Sequence, residues 1–208
     1  MPIVFAAISP HAPIFLPRVG SKDDHLRVKK TLKGLHYLGE RFNRSHPAKV
    51  VISSPHPDWG FKVPFYFLAK DFKGEIEQHL TDSESPKFYF EEGKKLYQGI
   101  KNLDHEKDKK IALIASGDTS HRLAEEGPYG FHPDGPGFDE ALIDALNKKD
   151  NEKLVELDEV YPEAAECGLR SFCFLLGILE ASGQEWNPEI LSYEGPFGVG
   201  YLVANFRP

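Results

Sequence analysis

The 208 residues suit one α/β domain with a sizeable core, or at most two small ones. A net charge of −7 without a basic cluster argues against nucleic acid and anionic membrane as partners. No apolar run is long enough to span a bilayer and the N-terminus lacks a basic leader region. Of its two cysteines, Cys167 and Cys173, neither is placed to bridge the other easily along one helix, so a reduced, cytoplasmic setting is expected.

Taken in order, Ile3 to Ile8 is an apolar first strand. Asp23 to Arg44 reads as a helix, with Leu26, Leu32, Leu35, Leu38 and Phe42 at helical spacing and Ser21 or Asp23 as its cap. Lys49 to Ser53 is the second strand. Phe61 to Leu68 is aromatic and contains Pro64, which suggests an edge strand or a pocket-lining loop. Lys70 to Pro86 is polar and carries no clear period. Phe88 to Leu103 reads as a helix, Leu103 to Lys110 as a charged surface turn, and Lys110 to Ser116 as the third strand. A Gly/Pro-rich loop from Gly127 to Gly137 follows, of a length that is more often functional than idle. Helices are expected over Phe138 to Lys148, briefly over Glu152 to Leu157, and over Glu163 to Ala181, ended by Gly183. Glu189 to Phe206 reads as two strands around Gly195 to Gly198. The order predicts a single α/β domain over 1–208, three-layered, with a mixed, mainly parallel sheet and helices on both faces.

Three of these strands each deliver a histidine shortly after they end: His11, His56 and His121. In open α/β sheets the carboxyl ends of the strands are where ligands bind. His11 and His56 sit in matched Ser-Pro-His turns, stiffened by proline, on strands expected to lie side by side. Two imidazoles and one carboxylate on one face of an ion form the common oxygen-activating Fe(II) site, with the opposite face open. Glu163, Glu166, Cys167 and Asp118 are candidates for the third ligand. Glu166 lies in a small, uncharged stretch, where a carboxylate turned inward needs a partner; as a first-turn acid it would equally serve the helix dipole. Cys167 would favour Zn or Cu.

Asp58 is a candidate to orient an imidazole. His121 suits general acid–base work, with Asp118 and Ser120 to tune it. His132 is a weaker candidate for the pocket lining, as are Tyr129, Phe131, Trp59 and Phe61 for an aromatic wall. His25, His36, His46, His79 and His105 read as surface residues. There is no phosphate-binding glycine loop and no nucleophile elbow.

Ser9-Pro-His11-Ala-Pro13, Ser53-Ser-Pro-His56, Ser116-Gly-Asp-Thr-Ser-His121, Gly130-Phe-His-Pro-Asp-Gly-Pro136, Ala165-Glu-Cys-Gly168 and Tyr193-Glu-Gly-Pro-Phe-Gly-Val-Gly-Tyr201 occur in that order. Over nearly its whole length the chain thereby resembles the class III extradiol ring-cleavage dioxygenases, typified by the catalytic subunit of protocatechuate 4,5-dioxygenase. It looks closest to a short branch near the Memo proteins, in which a cysteine replaces the carboxylate ligand. The resemblance implies Fe(II) held by His11, His56 and Glu166, with His121 as acid–base residue. It also implies a small aromatic diol and O₂ as partners, and a tendency to self-associate. Arg18 and Arg122 are the nearest candidates for binding a substrate carboxylate.

Overall fold

The computed structural model describes residues 2–102 and 108–207. Six strands form one sheet: β1 (Ile3–Ser9), β2 (Lys49–Ser54), β3 (Glu75–Leu80), β4 (Ile111–Ser116), β5 (Asn187–Glu194) and β6 (Tyr201–Arg207), in the order β3-β2-β4-β1-β6-β5. The first four named in that order run parallel; β6 is antiparallel to both β1 and β5. Alternate residues feed two cores, as a pleated strand requires. Ile111, Leu113 and Ala115 meet one helical layer, and Ala112 and Ile114 the other. The first layer holds α4 (Pro86–Lys101), α5 (Asp134–Lys148) and α8 (Leu169–Ser182), with the short α6 (Asn151–Leu154) and α7 (Leu157–Val160). The second holds α2 (Lys29–Ser45) and α3 (Trp59–Leu68), preceded by the short α1 (Lys22–Arg27). This is the three-layer α/β architecture expected. No helix among the described residues is long and apolar enough to cross a membrane.

Several local expectations are corrected. The first helix is two: Ser21 caps α1 by a capping box with Asp24, and the chain then breaks at the buried Val28 (φ −110°, ψ 22°). Phe61 to Leu68 belongs to a helix, not an edge strand. Pro64 removes an N–H from its interior, and the carbonyl four residues back, Gly60 O, instead accepts the Ser116 hydroxyl at 2.5 Å. The edge strand is β3, within the stretch that had no clear period; it pairs with β2 alone, so its side chains are largely exposed. α5 begins at Asp134, earlier than expected, because Pro136 falls in its first turn, where the missing N–H costs nothing. α8 begins only at Leu169; residues 163–168 form an irregular turn with Ala165 at φ +53°. β4 lies between β1 and β2, so the strands before His11 and His56 flank it and do not pair with each other. Most of the surface turn expected at Leu103 to Lys110, with His105, lies outside the described residues.

Candidate metal centre

β1, β2 and β4 end together at the carboxyl edge of the sheet and carry His11, His56 and the Asp118–His121 loop. His11 is buried and His56 exposed, their rings 5.1 Å apart and tilted by 65°. The third group beside them is Cys167. One ligand atom from each of His11, His56 and Cys167 lies within 4.8 Å of the others, and Cys167 Sγ is 3.5 Å from His11 Nε2. The thiol is carried there by close backbone contact: a Cβ on Gly117 would lie 2.2 Å from Gly168 Cα, so only glycines let the two turns approach this nearly. Gly168 N–H then donates to Asp118 O at 3.0 Å, and Asp118 N–H reaches the sulfur at 3.4 Å.

Glu166, expected as a ligand, is engaged elsewhere. Its carboxylate accepts Leu169 N–H at 2.6 Å and Arg170 Nη1–H at 3.1 Å, holding the first turn of α8. The left-handed residue at 165 redirects the chain, so the cysteine joins the histidines and the neighbouring acid does not. Glu163 is an exposed partner of Arg122, at 2.6 Å.

Asp118 is buried. Its Oδ1 accepts His11 N–H at 2.9 Å and its Oδ2 lies 3.9 Å from His11 Nε2. Burial pushes its pKa up to about 6, against the pull of the amides of His11 and Ala12 and of the nearby imidazoles. Burial, with His56 and His121 close by, lowers the pKa of His11 to about 3, so its imidazole is neutral, as a metal ligand's must be. Burial and the Asp118 carboxyl push the Cys167 thiol well up. A cation is what would make it a thiolate.

His121 donates its main-chain N–H to Ala164 O at 3.2 Å, and its Nδ1 bonds the Ala165 carbonyl. Because a carbonyl only accepts, Nδ1 carries a hydrogen, and in the neutral ring it is Nε2 that bears the lone pair. The exposed ring of Tyr129 packs on it, centroids 5.3 Å apart. Ser120 holds this turn through its Oγ–H to Ala164 O at 2.8 Å.

The remaining expected residues have other partners. Asp58 is exposed and turned to Lys62 at 3.2 Å. His132 accepts Asp134 N–H at 3.2 Å and serves the start of α5. Phe61 is core. Two residues escaped the sequence reading. Ser116 lies 3.1 Å from His11 Nδ1, and Asp139 accepts Ser120 N–H at 2.8 Å and Tyr193 Oη–H at 2.5 Å. A serine closing an apolar strand beside a histidine turn was a signal for the first; an acid in the apolar stripe of α5 was one for the second.

A family model described as the catalytic LigB subunit of aromatic ring-opening dioxygenase matches residues 56–204, which include His56, His121 and Cys167 but not His11. Protein CA_C1420 of Clostridium acetobutylicum is 42% identical over 157 residues, covering 72% of this chain. The match covers 31% of that protein, so the chain spans about a third of its length. The uncharacterized protein JW3007 from Escherichia coli K12 has the same fold, with a TM-score of 0.62 at 16% identity over 99% of this chain and 100% of that one.

Proposed function

We propose, from the premise that this chain belongs to the family of the catalytic LigB subunit of aromatic ring-opening dioxygenases, that it is an Fe(II)-dependent extradiol dioxygenase for a catechol-type compound. The observation that carries the reading is the convergence of His11, His56 and Cys167 at the carboxyl edge of the sheet, near His121. The donors fit a single ion: two imidazole nitrogens and one sulfur that supplies one negative charge when ionised, as a carboxylate would. Fe(II) held by His11, His56 and Cys167 would supply Lewis acidity and redox chemistry for a diol and O₂.

The protein's own groups do the rest. Burial around His11 excludes water from one side of the centre. The Ala165 carbonyl keeps the His121 hydrogen on Nδ1, leaving Nε2 to take a proton from a diol hydroxyl and return it as the ring opens. Tyr129 offers an exposed aromatic surface beside that base. Cys167 releases its proton when the ion binds.

Cys167 also favours a second reading. A thiolate is softer than a carboxylate and prefers Cu(I) or Zn(II). The chain would then be a Memo-like, metal-binding and redox-linked protein without ring-cleaving turnover. Metal analysis of anaerobically purified protein, followed by oxygen uptake over a catechol panel, separates the two. Iron, with oxygen uptake and a yellow product, is expected; copper or zinc with no uptake on iron reconstitution supports the second reading. Cys167→Ala is expected to weaken metal binding about tenfold or more; unchanged binding would remove the thiol from the centre.

A further inference from the structure

Ser116 ends β4 with a fully buried side chain, between His11 and the first turn of α3. A hydroxyl has one hydrogen to give. Its neighbour at 2.5 Å, the Gly60 carbonyl, can only accept, so the hydrogen is committed there. Towards His11 Nδ1, 3.1 Å away, Ser116 Oγ can then offer only a lone pair. That contact is a hydrogen bond only if Nδ1 carries the ring hydrogen. A neutral imidazole has one such hydrogen, so Nε2 is left bare, and Nε2 is the atom 3.5 Å from Cys167 Sγ.

Gly60 O is open to the hydroxyl for a reason written in the sequence. In an α-helix it would accept the N–H of residue 64, and residue 64 is proline. We propose that Ser116 is a positioning residue that sets the tautomer of His11, and that Pro64 in turn sets Ser116 by leaving the Gly60 carbonyl free. The proline inside α3 thus presents the correct ring nitrogen to the metal centre. This deepens the metal-centre reading and rests on it for its purpose, though the hydrogen-bond chain stands on its own geometry.

The test reads ring nitrogens directly. Long-range ¹H–¹⁵N correlation spectra of the metal-free, ¹⁵N-labelled protein, recorded above the imidazole titration range, should show His11 as one tautomer protonated at Nδ1. Ser116→Ala should give a mixture of tautomers or the Nε2–H form, and should weaken Co(II) binding by roughly ten- to a hundredfold, the usual effect of losing a ligand's orienting partner. Ser116→Thr, which keeps the hydroxyl, should restore the tautomer. Pro64→Ala, which gives Gly60 O a competing N–H, should shift both readouts in the same direction by less, and it serves as the second variant if Ser116→Ala fails to fold. A wild-type His11 protonated at Nε2 would overturn the proposal, as would unchanged tautomers in both variants. Failure of the wild-type protein to bind Co(II) would overturn the metal centre alone, since the tautomer signals judge the relay without a metal.

Discussion

Glu166 and Cys167 are adjacent, and the backbone between them decides which one meets the histidines. Glu166 is satisfied by Leu169 N–H and by Arg170, which also reaches Asp158 at 3.4 Å and the Glu84 carbonyl at 2.6 Å. Removing that carboxylate leaves a helix N–H and one face of a guanidinium unpaired, but touches no donor of the cluster. Glu166→Ala should therefore lower unfolding stability by about 2 kcal/mol in urea titrations, the usual worth of a hydrogen bond to a charged group, while Co(II) affinity stays within a few-fold. A large loss of metal with unchanged stability would restore Glu166 to the coordination sphere. At this scale the sequence told much: both histidines of the cluster, His121 on the neighbouring loop and the turn carrying Cys167 were legible from matched motifs. The choice between 166 and 167 was not. It hangs on Ala165 at φ +53°, a left-handed alanine that neither hydropathy nor helical spacing encodes.

The buried strands announced themselves by unbroken apolar runs, whereas β3, paired on one side only and half exposed, left no alternation to read. α3 was misread because proline usually breaks helices, and its compensation came from a residue 52 positions away in β4, at Ser116. A third tie between elements was equally silent. Asp139 of α5 pins the loop after β4 through Ser120 N–H and the tail through Tyr193 Oη–H. A Cβ at Gly200 would lie 2.4 Å from its Oδ2, so the tail is packed directly on this carboxylate. Asp139→Leu strands two buried donors, each costing about 1–3 kcal/mol. Urea unfolding should show a loss of roughly 2–6 kcal/mol on that basis. Asp139→Asn keeps an acceptor for Ser120 and offers Tyr193 a donor, so it should lose less than half as much. Equal losses in the two variants would mean that the site needs charge, not geometry.

Across the whole molecule, two buried or half-buried acids are driven in opposite directions, and their signs shape stability against pH. Glu77 on β3 accepts from His79 at 2.8 Å and pairs with Lys49 at 2.6 Å. The His79 bond first, then Lys49, hold its pKa at about 2 instead of the ordinary 4.5. A depressed acid stabilises the fold fully above its unfolded pKa, and that contribution is lost as pH falls from 4.5 through about 2. Glu166 is the reverse case: burial, opposed by Leu169 N–H and Arg170, raises it to about 7. A raised acid favours the folded state while protonated, so its contribution shrinks as pH rises from 4.5 to about 7. Asp118, raised to about 6 in the metal-free protein, adds to the same limb. His11, lowered to about 3 by burial with His56 and His121 close by, works the other way: a ring kept neutral in the fold loses stability as pH falls from 6.5 to about 3. Urea midpoints of the metal-free protein should therefore be compared, variant against wild type, along the whole pH curve. Glu77→Gln should lessen the loss below pH 4.5 and leave the upper limb as in the wild type, and Glu166→Gln should lessen the decline between pH 4.5 and about 7 and leave the acid limb as in the wild type, because the two acids sit in separate networks, one at the sheet edge and one at the start of α8. A variant that moves both limbs, or neither, would show that stability over this range is governed by other groups.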